Sequence, residues 1–280
     1  MSPPSSWLSI HKIRLGLWML AGEGFGFQDL RESKRVLTHA YQAGITKFDT
    51  APVYGRGQAD RLLSEPGLKN AIISTKTGLS WTGKEYYHNG SPTAIRSDVI
   101  DSLQRLNRST IDTLYLHWPD PAVDHLDSMR ALNDLKTGGL VNHIGVCNVD
   151  FKTIDQINKC LPLDCVQIRH SMLHNNFDLL QRLKISFPQI KRCIYSVFEQ
   201  GLFLHPNKPI STKDQRQKNP YFKDTYRQLL QQSNLFNTPQ MAHHVLHDWL
   251  LKMDHCVDEF VVGVRDTEQL NTMLTHCGIG

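Results

Sequence analysis

The sequence predicts an α/β protein in which eight parallel strands close into a single-domain (β/α)8 TIM barrel. Short apolar runs rich in β-branched residues alternate with helical patterns, eight such runs can be counted, and no internal stretch has the composition of a linker. A length of 280 residues lies within the normal range of one α/β barrel. We therefore expect one domain over residues 1–280, with a loose proline- and serine-rich lead-in at about 1–6.

The predicted strands are short runs that end at glycine, proline or polar residues. They span 13–18, the first half of 44–57, 71–76, 111–117, 141–147, 165–168, 193–196 and 260–262. Each strand after the first is introduced by a predicted helix. The helices span 30–43, 58–64, 92–106, 126–136, 151–159, 177–183 and 239–252, with a last one beginning at Thr267. Thr238 is the predicted N-cap of the seventh helix and Pro239 its first residue. Eight units without edge-strand signals favour a closed barrel over an open sheet.

Charge and composition exclude several classes of function. With 31 basic and 27 acidic residues the formal charge is +4, which is too small and too dispersed to indicate nucleic-acid binding. The fourteen histidines do not follow metal-ligand spacing. Six cysteines without a Cys-x-x-Cys pair indicate reduced thiols in a cytosolic protein. A basic and apolar run at 11–21 is too short for a signal peptide, and no stretch is long enough to span a membrane. We expect a soluble, cytoplasmic protein.

Four polar residues lie at or just beyond the ends of predicted strands. Asp49 and Tyr54 follow the second strand, Lys76 ends the third, and His117 ends the fourth. Each has an ordinary alternative: a turn residue for the acid, a solvated strand-end charge for the lysine, and a core or loop residue for the histidine. Because parallel neighbours end on the same face, however, these side chains are expected to meet. A phenol, a cation that makes it more acidic, a carboxylate that pairs the cation and an imidazole form a proton-transfer set.

The motifs around these residues resemble those of the aldo-keto reductase family, of the bacterial type. They are Asp-Thr-Ala-x-x-Tyr-Gly from Asp49, Ser-Thr-Lys-x-Gly from Ser74 and Tyr-Leu-His-Trp-Pro from Tyr115, and the likeness extends from about 15 to 265. The resemblance implies reduction of aldehydes or ketones with a nicotinamide cofactor, with Tyr54 as general acid. It also implies a cofactor site. Its members here are Asn148, Gln167, His170, Ser196, Gly201, Gly263, Arg265 and Gln269, with His170 in the place of a tyrosine that stacks on the nicotinamide.

Cofactor choice is predicted from the last strand and helix. Arg265 lies just before a helix N-terminus, where amide donors, the helix dipole and the guanidinium favour an anion such as an adenosine 2′-phosphate. NADPH is therefore the expected cofactor, with NADH possible, although an exposed loop arginine is the alternative. Thr272 and Met273 stand where relatives have a Glu-Asn pair that contacts the adenine, which predicts weaker or different adenine binding.

The substrate side is predicted less closely. Trp18, Trp81 and Trp118 each follow a strand end, so they are expected either to line an apolar pocket or to pack against the barrel. A long polar loop at 201–221, with Asp214 and Arg216, is expected to close over bound cofactor. The long C-terminal loop that many relatives fold over the substrate is expected to be missing. A nicotinamide-binding regulatory or partner subunit is the rival function, and the sequence does not specify an oligomeric state.

Overall fold

The structure is a computed structural model that describes residues 8–22, 28–83, 85–201, 223–224 and 239–277. Eight parallel strands form a closed barrel in which the first strand pairs with both the second and the last. In chain order the described strands are β1 (Ile13–Gly16), β2 (Lys47–Asp49), β3 (Ile72–Thr77), β4 (Leu79–Thr82), β5 (Glu85–His88), β6 (Ile111–Leu116), β7 (Val141–Cys147), β8 (Cys165–Arg169), β9 (Lys191–Tyr195) and β10 (Glu259–Gly263).

Helices precede and follow the barrel strands. They are α1 (Leu30–Gln42), α2 (Gln58–Leu62), α3 (Pro92–Leu106), α4 (His125–Thr137), α5 (Phe151–Cys160), α6 (Phe177–Ser186), α7 (Pro239–Met253) and α8 (Thr267–His276). Their start signals are visible in the sequence. Asp29 caps α1 by accepting a hydrogen bond from the Arg31 amide, and Ser91 caps α3 immediately before a proline at its first position.

The predicted (β/α)8 barrel is confirmed, and every predicted barrel strand and helix is present within a few residues of its expected bounds. The expected lead-in at 1–6, the Thr238 cap and the loop residues 202–221 lie outside the described residues. Apolar side chains from the strands and from the inner faces of the helices fill a continuous core between the two layers. This core fixes the strands, and the strands in turn fix the polar residues at their C-terminal ends.

A two-stranded antiparallel sheet was not expected. The strands β4 and β5 follow β3 directly and pair with each other, with Trp81 opposite Tyr86. All four residues of β5 are exposed, so no buried apolar face marks this hairpin in the sequence. It projects from the C-terminal end of β3, on the face of the barrel where the candidate site lies.

Within the described ranges, no helix is both long enough and apolar enough to cross a membrane.

Candidate active site

The barrel brings Asp49, Tyr54, Lys76 and His117 together at its C-terminal face. Asp49 is the last residue of β2, Lys76 lies near the end of β3, and His117 follows β6 directly. The three strands are consecutive neighbours in the barrel. Alternation along β3 turns Ser74 and Lys76 to the same side, which is the side of Asp49.

Asp49 and Lys76 form a buried ion pair. The Lys76 Nζ lies 2.5 Å from Asp49 Oδ1 and also donates to the Thr50 carbonyl oxygen at 2.9 Å. The Ser74 hydroxyl and the Gln167 amide each donate to Asp49 Oδ2 at 2.8 Å. Both charged residues are 2% exposed. A buried pair is tolerated when further hydrogen bonds satisfy its remaining polar atoms, and here the carboxylate has three donors.

Tyr54 and His117 lie above this pair and keep partial exposure. The Tyr54 ring centre is 5.0 Å from Lys76 Nζ and 5.9 Å from the His117 ring, which it meets edge to face. Trp18 stacks on the other side of the phenol, with 6.2 Å between ring centres. The phenol therefore lies between a cation, an imidazole and an indole.

Burial raises the pKa of the Tyr54 phenol to about 12, while the charge and hydrogen bond of Lys76 lower it. The lysine thus acts in the predicted direction, but desolvation outweighs it in the free protein. The pKa of Lys76 itself is raised: burial lowers it, and the charges of Asp49 and Tyr54 more than compensate. Burial and the neighbouring Lys76 charge hold the pKa of His117 well below its ordinary value. At neutral pH this arrangement has a protonated phenol and a neutral imidazole.

Asn148 connects His117 to a residue that the sequence reasoning missed. Its amide nitrogen donates to the His117 carbonyl oxygen at 2.9 Å, and its amide oxygen accepts from the Tyr195 hydroxyl at 2.5 Å. Tyr195 is the last residue of β9, with a half-buried ring. An aromatic residue at the end of a barrel strand, directly before the predicted Ser196, is the sequence signal that could have identified it.

Gln167 supports the Asp49 carboxylate. It is 3% exposed, and besides the bond to Asp49 its amide oxygen accepts from the Cys147 thiol at 3.8 Å. Its predicted contact with a nicotinamide carboxamide stays a prediction, since in this structure its amide is already engaged on both sides.

His170 does not join the other site residues. It is 1% exposed, its Nδ1 accepts from the Asn176 amide, and its Nε2 lies 3.2 Å from the Met253 sulfur of α7. The Trp249 ring lies 5.2 Å from the imidazole. The imidazole is thus packed against α7, and its predicted place against a nicotinamide stays a prediction. Tyr195, half-buried at the end of β9, is another aromatic ring on the C-terminal face of the barrel.

The segment after β9 has an unusual backbone. Ser196, Glu199 and Gln200 have φ values of 59°, 45° and 57°, and Gly201 has 86°. Non-glycine residues rarely adopt positive φ, and such clusters occur at ligand sites. Ser196 directly follows β9 and Gly201 ends the short 3-10 turn after it, and both are half-buried; their place in a cofactor site stays a prediction. Asp214 and Arg216 of the predicted closing loop lie outside the described residues.

The N-terminus of α8 follows β10 as predicted, but it already holds a carboxylate. Glu32 of α1 accepts from the Thr267 amide at 2.9 Å and from the Thr267 hydroxyl at 2.7 Å, which lowers the pKa of Glu32 to about 2. The Arg265 amide donates to the Gln269 side chain at 3.0 Å. Gly263, at the end of β10, is exposed. An anion at this helix terminus would therefore meet Glu32.

The three tryptophans differ in position. Trp18 contacts Tyr54 and is 41% exposed, Trp118 is 42% exposed directly after His117, and Trp81 lies half-buried on the β4–β5 hairpin. Their role in a pocket stays a prediction.

Among the residues that the structure describes, no group of three or more His, Cys, Asp or Glu side chains could hold a metal ion.

A model of the aldo/keto reductase family matches residues 12–279. The chain therefore belongs to this family.

Curated relatives match parts of the chain. The aldo-keto reductase YhdN of Bacillus subtilis is 30% identical over 172 residues, which make up 60% of this chain and 52% of that protein. An NADH-specific methylglyoxal reductase of Escherichia coli is 29% identical over 216 residues, 70% of this chain and 66% of the relative. The matches thus cover from about half to just under two-thirds of these relatives.

Solved structures with the same fold match almost the whole chain. A glycerol dehydrogenase from Gluconobacter oxydans superposes with a TM-score of 0.77, over 95% of this chain and 86% of its own, at 23% identity. The holo form of an aldo-keto reductase from Bacillus halodurans has a TM-score of 0.78 over 96% of this chain and 87% of its own, at 17% identity. At such identities the likeness shows the fold alone.

Proposed function

We propose that the protein is an NADPH-dependent reductase of aldehydes or ketones with Tyr54 as the general acid. The observation that carries this proposal is the geometry of the tetrad: a phenol lies between a neutral imidazole and the ammonium group of a buried ion pair. Such a set of groups suits the transfer of one proton to a carbonyl oxygen. The intact tetrad also argues against the rival function of a non-catalytic partner subunit.

The residues around the tetrad fit a nicotinamide cofactor. Tyr195 has a half-buried ring whose orientation is fixed by its hydrogen bond to Asn148, and Ser196 lies beside it with a left-handed backbone. We propose that the Tyr195 ring lies against the nicotinamide and that the Ser196–Gly201 segment lies along the pyrophosphate. When bound, the cofactor supplies the hydride.

The chain's own residues handle the proton. Tyr54 donates its proton to the carbonyl oxygen as negative charge develops there. Its high pKa keeps the phenol protonated at neutral pH. Lys76 stabilises the phenolate left behind, and Asp49 holds Lys76 in place. His117, which is neutral, donates a hydrogen bond that orients the carbonyl oxygen. Trp18 covers one side of the phenol and keeps that side from water.

The choice of NADPH is supported by Arg265 alone. It lies next to the N-terminus of α8, where a guanidinium suits a 2′-phosphate. Glu32 opposes this choice, because its carboxylate already accepts from Thr267. We therefore propose NADPH as the preferred cofactor, with a preference weaker than Arg265 by itself would produce.

A panel of aliphatic and aromatic aldehydes and ketones, assayed with NADPH and with NADH, tests the proposal. Oxidation of the reduced cofactor is followed by absorbance, with the Tyr54→Phe variant as the control for non-enzymatic loss. Carbonyl-dependent turnover that disappears in the variant supports a reductase. Tight cofactor binding without turnover of any carbonyl would favour the partner-subunit function instead.

A further inference from the structure

Asp60 is a buried carboxylate that the mechanism above does not use. It lies in α2, is 0% exposed, and accepts from the Thr50 hydroxyl at 2.8 Å on Oδ1. On Oδ2 it accepts from Arg105 Nε at 3.1 Å and from the Ser102 hydroxyl at 3.4 Å. Burial raises its pKa, and Arg105 is the first of the groups that lower it. A buried charge destabilises a fold unless it is paired, so the Asp60 carboxylate requires its partners Arg105, Thr50 and Ser102 to stay in place.

Thr50 connects Asp60 to the tetrad. Its amide donates to the Ser74 carbonyl oxygen at 2.9 Å, its hydroxyl donates to Asp60, and its carbonyl oxygen accepts from Lys76 Nζ at 2.9 Å. Three hydrogen bonds therefore hold this one residue. The Lys76 ammonium has Asp49 as its charged partner and the Thr50 carbonyl as its neutral one, so its position depends on where Thr50 lies.

Arg105 connects Asp60 to the loop that carries Tyr54. A Cβ atom at Gly57 would lie 2.7 Å from Arg105 Cδ and 3.0 Å from Nε, so the arginine packs directly against the backbone there. Gly57 has a φ of 84°, and its amide donates to the Pro52 carbonyl oxygen at 2.7 Å. The Ala59 amide donates to the Tyr54 carbonyl oxygen at 3.2 Å. The backbone carbonyls of Pro52 and Tyr54 are thus both hydrogen-bonded to the segment 57–59, against which Arg105 packs.

We propose that the Asp60–Arg105 pair is a positioning unit that sets where the Lys76 ammonium lies relative to the Tyr54 phenol. It acts on Lys76 through Thr50 and on the Tyr54 loop through Gly57. This inference rests on the proposed function, because it takes Tyr54 and Lys76 as the proton-transfer pair. A misplacement of about 1 Å in such a pair can lower a rate by roughly a hundredfold.

A pair of substitutions at Thr50 tests the connection to Lys76. Thr50→Val removes the hydroxyl and keeps the shape, whereas Thr50→Ser keeps the hydroxyl. We expect kcat for carbonyl reduction to fall about tenfold or more in the valine variant, with KM and cofactor affinity within about twofold of wild type. The serine variant should retain most of the wild-type kcat. Should the valine variant not fold, Thr50→Cys, which keeps only a weak donor, should show a kcat below that of the serine variant.

Ser102→Ala is the matched control. It removes a hydrogen bond to the same carboxylate at 3.4 Å and the acceptor of Arg105 Nη2 at 2.9 Å, and it is also buried, but neither of these side-chain hydrogen bonds involves Thr50. We expect it to lower the unfolding midpoint while kcat stays near wild type. Equal kcat in the valine and serine variants, or a loss in Ser102→Ala as large as in Thr50→Val, would overturn the inference.

Crystal structures separate this inference from the proposed function. The distance from Lys76 Nζ to the Thr50 carbonyl oxygen, 2.9 Å here, should be kept in Thr50→Ser and lengthen beyond hydrogen-bond range, about 3.5 Å, in Thr50→Val. An unchanged distance in the valine variant would refute the positioning role even if no carbonyl is reduced. Lack of turnover in the wild type, with the distance changed as expected, would refute the proposed function alone.

Discussion

Tyr54 is the residue on which the proposed chemistry depends. Its ring is held by Trp18, His117 and Lys76 from three sides, so the position of the ring does not require its hydroxyl. A substitution that removes only the hydroxyl therefore separates proton donation from packing.

Tyr54→Phe is expected to abolish carbonyl reduction and leave cofactor binding nearly intact. General acid catalysis contributes on the order of a hundredfold to ten-thousandfold to a rate, so kcat should fall by at least a hundredfold. Steady-state kinetics measures the first quantity, and quenching of protein fluorescence by the reduced cofactor measures the second. Substantial residual turnover would remove Tyr54 from its role.

The pH dependence of reduction follows from two residues. The pKa of His117 is held well below 6.5, so this ring stays neutral above about pH 6.5. The pKa of Tyr54 is raised to about 12, so the phenol stays protonated well above neutrality. We expect kcat to be flat from about pH 7 to about pH 10. A stopped-flow profile of the hydride-transfer step checks this. A loss of rate centred near pH 7 would mean that His117 titrates in the working range.

At the scale of elements, the contact between α1 and α8 bears on the choice of cofactor. Glu32 in α1 and Arg265 before α8 place opposite charges at one helix terminus. A phosphate bound there would be attracted by the guanidinium and the helix dipole and repelled by the carboxylate.

Arg265→Ala should weaken NADPH by roughly tenfold to a hundredfold, the value of a hydrogen bond to a charged group, and change NADH little. Glu32→Gln should strengthen NADPH binding several-fold, on the order of 1 kcal/mol, because the phosphate then meets one carboxylate fewer, with Asp266 and Glu268 still in place. Both cofactors are titrated by protein fluorescence at low and high salt.

Glu268→Gln is the matched control for this pair of variants. It removes a negative charge from the first turn of α8, where Glu268 is exposed, and leaves the Glu32–Thr267 contact in place. Its effect on NADPH should be clearly smaller than that of Glu32→Gln. Equal losses of NADPH and NADH in Arg265→Ala would withdraw the support for NADPH.

At the scale of the whole molecule, the Asp49–Lys76 pair joins neighbouring barrel strands inside the closed sheet. Its members are almost fully buried, so one charge cannot be removed without leaving the other unpaired in the interior. The same pair therefore serves stability as well as the proposed chemistry.

Lys76→Met is expected to destabilise the fold by about 3–5 kcal/mol, the cost of breaking a buried ion pair. The double variant Asp49→Asn with Lys76→Met should recover much of this loss, because no charge is left buried. Urea unfolding at neutral pH measures both. Since the pKa of Lys76 is raised above its ordinary 10.5 on folding, its contribution should be complete below that pH and fade as the pH rises further. Equal stabilities of the two variants would show that Asp49 is not left as an uncompensated charge.

The fold and the tetrad could be predicted from the sequence because their signals are local. The alternation of strands and helices, glycine and proline at strand ends, and helix caps such as Asp29 and Ser91 are each encoded by a few adjacent residues. Once eight parallel strands are assumed, the barrel's common C-terminal face brings Asp49, Tyr54, Lys76 and His117 together without further information.

Contacts between distant segments decided the rest. His170 is turned into the packing of α7, Tyr195 is joined to Asn148, and Glu32 reaches Thr267 across 235 positions of sequence. None of these partners can be inferred from neighbouring residues, because each depends on how a helix packs against the barrel and on which way a side chain faces. The sequence by itself determined the barrel and its four central residues. Only the tertiary structure decided which side chains pack against His170, Tyr195 and Thr267, because these contacts join elements that lie far apart in the sequence.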